Sequence, residues 1–211
     1  MIKTAGCSMS LLITPSLYSA YYYYTHKETK SEAEFLATLR REPTPTTEAM
    51  QAGIDFENRV RKICDTHEQG DSCAHQIADI VRGGNWQCKG SYRLPEYLLY
   101  GRADVIKRDR IYDIKYTTSE YERGKFLHSI QHWVYMVCFG LLHCDYLVSD
   151  GEDVWVESYD TPSIEYAIDN YIKPAISDMV AFINSIPSFR EAFETNWQAD
   201  AFSEKKITNR G

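Results

Sequence analysis

The sequence lacks three features that would each place it in a broad class. Its six cysteines form no CxxC pair, which excludes a zinc knuckle or a clustered iron–sulfur motif. No run of about 18 uninterrupted apolar residues occurs, so the sequence predicts no membrane-spanning helix. Lysine and arginine number 23 against 30 aspartates and glutamates, and the net charge of −7 excludes a broadly basic surface that binds nucleic acid anywhere.

The N-terminal stretch also lacks the pattern of a secretion signal. Its short apolar run is interrupted by Pro15 and by several serines and threonines, and no small-x-small cleavage site follows cleanly. The tyrosine run 21–24 is too polar for an anchor and is typical of a packed or interface helix, with base stacking on a single-stranded end as the alternative. We expect a cytoplasmic protein with reduced thiols, because a chain of 211 residues does not need disulfides.

The order of the helices and strands that the sequence predicts indicates an α/β (α+β) fold with a mixed central β-sheet flanked by helices. Aromatic and β-branched runs predict five strands, the first three antiparallel, at 86–93, 97–107, 110–118, 144–149 and 154–159. Apolar spacing predicts five helices, at 31–40, 46–66, 73–82, 125–142 and 163–185. The single domain 1–211 then consists of an N-terminal helical segment, a core and C-terminal helices, at 1–45, 46–160 and 161–211.

For two of these helices the sequence also predicts where the helix begins, where it is interrupted or which residues share a face. Thr44 and Pro45 are typical of an N-cap and first turn, so we expect helix 46–66 to begin there. Pro174 is expected to kink or divide helix 163–185. The first of these two helices presents a stripe on one face, formed by Ala49, Gly53, Glu57, Val60 and Cys64.

The most informative stretch is 101–115, which contains two strands and the turn between them. A hairpin that turns about Arg108 and Asp109 pairs residues whose numbers sum to 217, which predicts Asp104 opposite Asp113. Lys115 is then on the same strand face as Asp113. Opposed carboxylates repel unless a cation lies between them, and Mg²⁺ prefers carboxylate, carbonyl and water oxygens. The pattern favours metal-assisted hydrolysis with a nearby ammonium, over the alternative of a surface hairpin with solvated charges.

These residues resemble the PD-(D/E)XK nuclease superfamily, and within it the branch of RecB-like domains and lambda-type phage exonucleases. Asp104 matches the first aspartate and residues 113–115 match (D/E)xK, although Ala103 stands where the family pattern has proline. Three further segments resemble family elements in the same order, namely a serine-containing segment at 14–18, GxxxE at 53–57 and QxxxY at 131–135.

The resemblance implies a restriction-endonuclease-like core and hydrolysis of DNA phosphodiesters that depends on Mg²⁺ or Mn²⁺ and leaves 5′-phosphate ends. It implies that Asp104, Asp113 and the carbonyl of Ile114 hold metal. Glu57 would bind a second metal or a metal-bound water, and Lys115 would position the attacking water. The DNA contacts implied or predicted are Ser16, Arg102, Gln131 and Tyr135, of which Gln131 and Tyr135 also belong to the catalytic set.

Several alternatives stay open at this level. The activity could be that of a phage-type exonuclease in recombination or repair, a structure- or sequence-specific endonuclease, an inactive DNA-binding scaffold or a hydrolase of small phosphoesters. Homo-oligomers and a single-strand annealing or recombination partner are compatible with the family. A local positive groove is predicted from six residues, Arg102, Lys107, Arg108, Arg110, Arg123 and Lys125. The roles of His128 and His132 are undecided.

Overall fold

The structure, a computed structural model, describes residues 10–27, 29–66 and 71–199. Its six strands belong to one sheet and are β1 (Leu11–Ile13), β2 (Asn85–Arg93), β3 (Tyr97–Lys107), β4 (Arg110–Tyr116), β5 (His143–Ser149) and β6 (Val154–Asp160). The helices are α1 (Pro15–Thr25), α2 (Glu32–Leu39), α3 (Glu48–Thr66), α4 (Ser72–Val81), α5 (Gln131–Phe139), α6 (Ile164–Ala167), α7 (Lys173–Ser185) and α8 (Pro187–Asn196), and a π-helical turn (Ile168–Ile172) joins α6 to α7. No helix in these ranges is long and apolar enough to cross a membrane.

The sheet is mixed, which confirms the predicted fold class. β2, β3 and β4 pair antiparallel in sequence order, β4 pairs parallel with β5, and β5 pairs antiparallel with β6. The parallel step follows from α5, because a connection that carries a helix across the sheet returns the chain in the same direction. The hairpin of β3 and β4 has the predicted register, with Ile106 opposite Ile111 and Val105 opposite Tyr112.

β3 changes partners along one of its edges. β2 is paired along one edge from Leu98 to Ile106, so β1 and β4 must share the other edge. β1 pairs parallel with residues 97–99, and β4 pairs with residues 105–107. Asp104 therefore lies at the point where β3 leaves the β4 ladder. β1 was not predicted, because it has only three residues and is defined by partners that lie far along the chain, including the backbone of Trp197.

One layer of helices, α3 and α4, packs beneath the part of the sheet that contains Val105 and Ile114. The buried residues of α3 are Phe56, Val60 and Ile63. The predicted stripe lies on the inward side apart from Ala49, which is exposed. The predicted cap at Thr44 was also wrong, since the hydroxyl of Thr47 accepts the N–H of Met50 and the helix begins at Glu48.

The helix α5 packs on the same sheet above β2 and β3. Gly101 permits this close approach, because an added Cβ there would lie 2.7 Å from the ring of Tyr135. The prediction of a helix over 125–142 was wrong at its start, since the chain forms turns at 123–128 and α5 begins at Gln131. It ends at Gly140, whose φ of 66° is the left-handed conformation typical of a helix C-terminus.

The terminal helices form an aromatic cluster on the remaining flank. The predicted surface helix is α2, yet Phe35 and Leu39 are fully buried, and Phe35 stacks on Tyr24 of α1. Pro174 lies in the first turn of α7, where a missing N–H is harmless. The predicted interruption of helix 163–185 is the π-helical turn that precedes α7. α8 was not predicted as a separate helix. Cys7 lies outside the described residues, and the other five cysteines are free.

Candidate active site

Asp113 and Lys115 of β4 form the buried half of the site. Asp113 is only 2% exposed, and its Oδ2 lies 2.5 Å from the Nζ of Lys115. Burial lowers the pKa of Lys115, but the carboxylates of Asp113 and Asp104 outweigh burial and raise that pKa above its ordinary value. Lys115 is therefore a charged ammonium at neutral pH, so it can donate hydrogen bonds and cannot accept a proton.

Gln131 connects this pair to α5. Its Nε2 donates to Oδ1 of Asp113 at 2.7 Å and to the hydroxyl of Tyr135 at 2.8 Å. Tyr135 is 6% exposed, and burial together with the charge of Asp113 raises the pKa of its hydroxyl. Gln131 and Tyr135 thus fix the orientation of Asp113, with Tyr135 acting through Gln131.

Asp104 and Glu57 form the second half of the site, which reaches toward α3. The backbone N–H of Ile114 donates to Oδ2 of Asp104 at 2.9 Å, in place of continued strand pairing. Burial, then the charge of Asp113 and then that of Glu57 raise the pKa of Asp104 to about 8. Gly53, one turn before Glu57 on α3, has open space around it, since a Cβ there would meet nothing within 4 Å.

Gln87 of β2 is a member of the site that the sequence reasoning missed. Its Nε2 donates to Oε1 of Glu57 at 2.5 Å and makes a long contact of 3.5 Å with Oδ1 of Asp104. The pairs that flank it in the β2–β3 ladder, Trp86 with Val105 and Cys88 with Ala103, place it opposite Asp104. The predicted strand ends at 93 and 97 would have paired Asp104 with Trp86, so Gln87 is identified only by the observed register, in which Arg93 is opposite Leu98.

The donor set suits a hard divalent cation. Glu57, Asp104 and Asp113 supply carboxylate oxygens, and Mg²⁺ sites commonly use one or two carboxylates with water and phosphate oxygens. The mutual repulsion that raises the pKa of Asp104 is the kind of repulsion that a bound cation relieves. Among the residues that the structure describes, no three His, Cys, Asp or Glu side chains already converge as a ligand cluster. A cation would therefore draw the carboxylates together.

A cleft of about 790 Å³ opens beside Lys115 and Gln131. One wall is α1, which contributes Tyr18, Tyr22 and Tyr23, and the other is the segment 119–129. Three basic side chains besides Lys115 line it, and two acidic ones oppose them, namely Lys27, Arg123, Lys125, Glu120 and Glu122. The cleft therefore combines aromatic rings with a net positive lining, on a chain whose overall charge is −7.

The predicted basic groove is only partly assembled. Arg123 and Lys125 line the cleft, but Arg110 forms an ion pair with Asp145 at 2.6 Å, and Lys107 donates to the carbonyl of Ile80. Arg108 occupies the hairpin turn with a φ of 57°. The predicted groove over all six residues was wrong, because strand geometry directs the hairpin residues away from the cleft.

The two remaining predicted DNA contacts lie elsewhere on the surface. Ser16 is exposed in the first turn of α1, and Arg102 is exposed on β3 opposite Lys89. Within the described part of the chain, neither belongs to the lining of the cleft. Their role in DNA binding stays a prediction.

The two histidines of the α5 region have different surroundings. His128 lines the cleft, and its ring stacks on Tyr22 with centroids 5.6 Å apart. It precedes α5 and therefore does not share a helix face with Gln131 and Tyr135. His132 is fully buried, and burial lowers its pKa to about 3.

Comparisons with known proteins identify the fold. No protein-family model matches the chain, and no curated protein sequence is significantly similar to it. An alkaline exonuclease from Laribacter hongkongensis is structurally similar with a TM-score of 0.50 and 14% identity, over 94% of each chain. A proposed exonuclease from Eubacterium rectale is similar with a TM-score of 0.52 and 12% identity, over 92% of this chain and 85% of that one. At these identities the similarity establishes a nuclease-like fold and leaves the activity open.

Proposed function

We propose that the protein is a metal-dependent deoxyribonuclease of the PD-(D/E)XK type, and specifically an exonuclease of the kind that phages use in recombination or repair. The observation that carries this proposal is the ion pair of Lys115 with Asp113 beside the contacts of Gln87 with Asp104 and Glu57, at the point where β3 and β4 separate. Four ionisable side chains from two strands and a helix lie there, and amide groups donate hydrogen bonds to the three carboxyl groups. Placing these carboxyl groups close together away from water raises the free energy of the folded protein, and a bound cation would offset that cost.

The roles of the residues follow from their contacts. Asp104, Asp113 and the carbonyl of Ile114 would hold Mg²⁺ or Mn²⁺, with Glu57 binding a second ion or a water on the first. When bound, the cation polarises the scissile phosphate and lowers the pKa of water. Lys115, kept charged by Asp113, orients the attacking water and offsets charge that develops on the phosphate.

The cleft supplies a route for one DNA strand. Its volume of about 790 Å³ is within the range of pockets that enclose small ligands, so it suits one or two nucleotides and not a duplex. Tyr23, which is exposed, offers a stacking surface, and Arg123 and Lys125 can pair with phosphates. A strand end that enters here meets Lys115 directly, which favours an exonuclease over the alternative of an endonuclease on the same fold.

The decisive experiment compares two DNA substrates and two lysine variants. With Mn²⁺, the wild-type protein should release nucleotides from a linear duplex and leave a closed circle intact. Lys115→Ala should reduce this release at least about 100-fold, because one preorganised charge at a phosphate contributes on that scale. Lys173→Ala, which removes an exposed ammonium paired with Asp169 on α7, should retain it.

Each contrary result has a defined meaning. Nicking of the closed circle would indicate an endonuclease instead of an exonuclease. Binding of DNA without any cleavage in Mn²⁺ would indicate an inactive scaffold. Hydrolysis of a nucleotide without hydrolysis of DNA would indicate a phosphoester hydrolase, and full activity in Lys115→Ala would remove the assigned role of that lysine.

A further inference from the structure

Gln87 is a neutral side chain that links the two acidic groups on the α3 side of the site. Its amide donates to Glu57 of α3 and reaches Asp104 of β3, so a single side chain of β2 connects two other elements. Both contacts use Nε2, the donor end of the amide. The arrangement gives Glu57 a donor and adds a second contact to Asp104, whose Oδ2 already accepts the N–H of Ile114.

The backbone of Gln87 is unusual as well. Its φ of 51° lies in the left-handed region, which residues other than glycine, asparagine and aspartate rarely adopt. Such conformations persist only where surrounding structure holds them, and they cluster at functional sites. Here the ladder pairs on either side of Gln87 are intact, which localises the distortion to the residue opposite Asp104.

A donor at this position competes with a cation that binds the same oxygens. The N–H groups of the amide contact Oε1 of Glu57 and Oδ1 of Asp104, and their dipoles point the wrong way for a nearby positive charge. An amide has a carbonyl oxygen on its other side, so a half turn about the last side-chain torsion replaces the donor with an acceptor. Oxygen from an amide is an accepted ligand for hard cations.

We propose that Gln87 is a metal-responsive positioning residue, whose amide donates to Glu57 and Asp104 without a cation and reverses to present Oε1 when a divalent cation binds. This inference rests on the proposed function, since it requires the cation. It adds a residue that does not match any element of the sequence pattern. It also gives a reason for the strained backbone, because the strand must hold the amide between α3 and β3 in both states.

The test measures Mn²⁺ affinity by calorimetry, without reference to cleavage. Gln87→Met keeps the length of the side chain and removes both amide atoms, and it should weaken Mn²⁺ binding about 10-fold or more, as loss of an outer ligand does. Gln87→Glu supplies an oxygen in either orientation, and it should bind Mn²⁺ at least as tightly as the wild type. Gln51→Met, the same change at an exposed position of α3, is the matched control and should leave the affinity unchanged.

A further variant protects the test against misfolding. Gln87→Asn suits the left-handed backbone but is too short to reach Glu57, so it should fold as judged by circular dichroism and bind Mn²⁺ as weakly as Gln87→Met. Wild-type affinity, or a gain in affinity, in the Met and Asn variants would overturn the inference, because the amide would then only obstruct the cation. Weak binding by Gln87→Glu would overturn it too.

The failure of the inference is separable from that of the proposed function. If the wild-type protein binds Mn²⁺ and cleaves DNA while the Gln87 variants bind Mn²⁺ normally, only the role of Gln87 is lost. If the wild-type protein binds no divalent cation, the metal-dependent nuclease and the role of Gln87 fall together. A crystal soaked in Mn²⁺ should show Oε1 of Gln87, and not Nε2, facing the ion or its bound water.

Discussion

Two polar regions lie on either side of Tyr146, one half-buried and open to the cleft and the other packed among aromatic rings. The carboxylate site consists of Glu57, Gln87, Asp104, Asp113, Lys115 and Gln131. The aromatic cage consists of His132 and the rings around it, Trp133, Tyr146 and Tyr159. Burial and neighbouring anions raise the pKa of Asp104 to about 8, whereas burial alone lowers the pKa of His132 to about 3.

The difference separates the candidate active site from a packed interior. The His132 ring stacks on Tyr159 at 3.8 Å, and its Nδ1 lies 3.1 Å from the Tyr146 hydroxyl, so the neutral ring is accommodated by aromatic neighbours. No charged partner faces it among the contacts described. In the carboxylate site, like charges crowd and an ammonium is held beside them. A shifted pKa alone therefore does not mark function.

The largest expected effect comes from breaking the carboxylate site at its centre. Asp113→Asn removes a proposed metal ligand and the counter-ion of Lys115, so cleavage should fall by about 100- to 1000-fold and Mn²⁺ affinity should fall with it. The matched control is Asp145→Asn on the neighbouring strand, which breaks an equally close pair with Arg110. That change should cost about 3 kcal/mol of stability and spare cleavage. Equal losses of cleavage in both variants would show that Asp113 acts only through folding.

A smaller effect, on stability and not on activity, is expected from the aromatic cage. The unfolded chain protonates His132 near pH 6.5 and the folded protein only near pH 3, so protons bind the unfolded state preferentially between these values. The free energy of unfolding should therefore decrease as the pH falls through this window, with His132 contributing about 3 kcal/mol between pH 6.5 and pH 4. His132→Phe should remove that contribution, as measured by urea denaturation at both pH values.

The same variant tests whether the cage takes part in catalysis. Cleavage by His132→Phe at neutral pH should stay within about threefold of the wild type, because His132 makes no contact with Asp113 or Lys115 in the structure. If His132→Phe lost most cleavage and its stability still decreased with falling pH as in the wild type, His132 would be assigned to catalysis and not to the packed interior.

The sequence was sufficient to predict what depends on local register and short spacing. The turn at Arg108 and Asp109 determined which residues of β3 and β4 pair, and the β4 alternation placed Asp113 and Lys115 together. The contact of Gln131 with Asp113 was not derivable in this way. The helical spacing of Gln131 and Tyr135 indicated only that they share a face, and the resemblance supplied the rest.

What escaped prediction depends on long-range partners. β1 is a strand because Tyr97 and Trp197 offer backbone partners, and nothing within its three residues requires that. The start of α5 was misplaced because turns at 123–128 are stabilised from a distance, through the carboxylate of Glu157, which accepts from Tyr121 and from the N–H of Gly124. The secondary-structure propensities of neighbouring residues cannot predict such long-range contacts.

The smallest effect is expected at the boundary of the two regions. Tyr146 belongs to the cage through its hydroxyl, and its ring centroid lies 5.8 Å from the Nζ of Lys115. Tyr146→Phe keeps the ring and removes the hydroxyl, so the protein should lose about 1 kcal/mol of stability, while cleavage should change by less than about twofold. Thermal unfolding and a cleavage assay on the same preparation measure both. A cleavage defect without loss of stability would mean that the hydroxyl acts on Lys115, and Tyr146 would then belong to the carboxylate site and not to the aromatic cage.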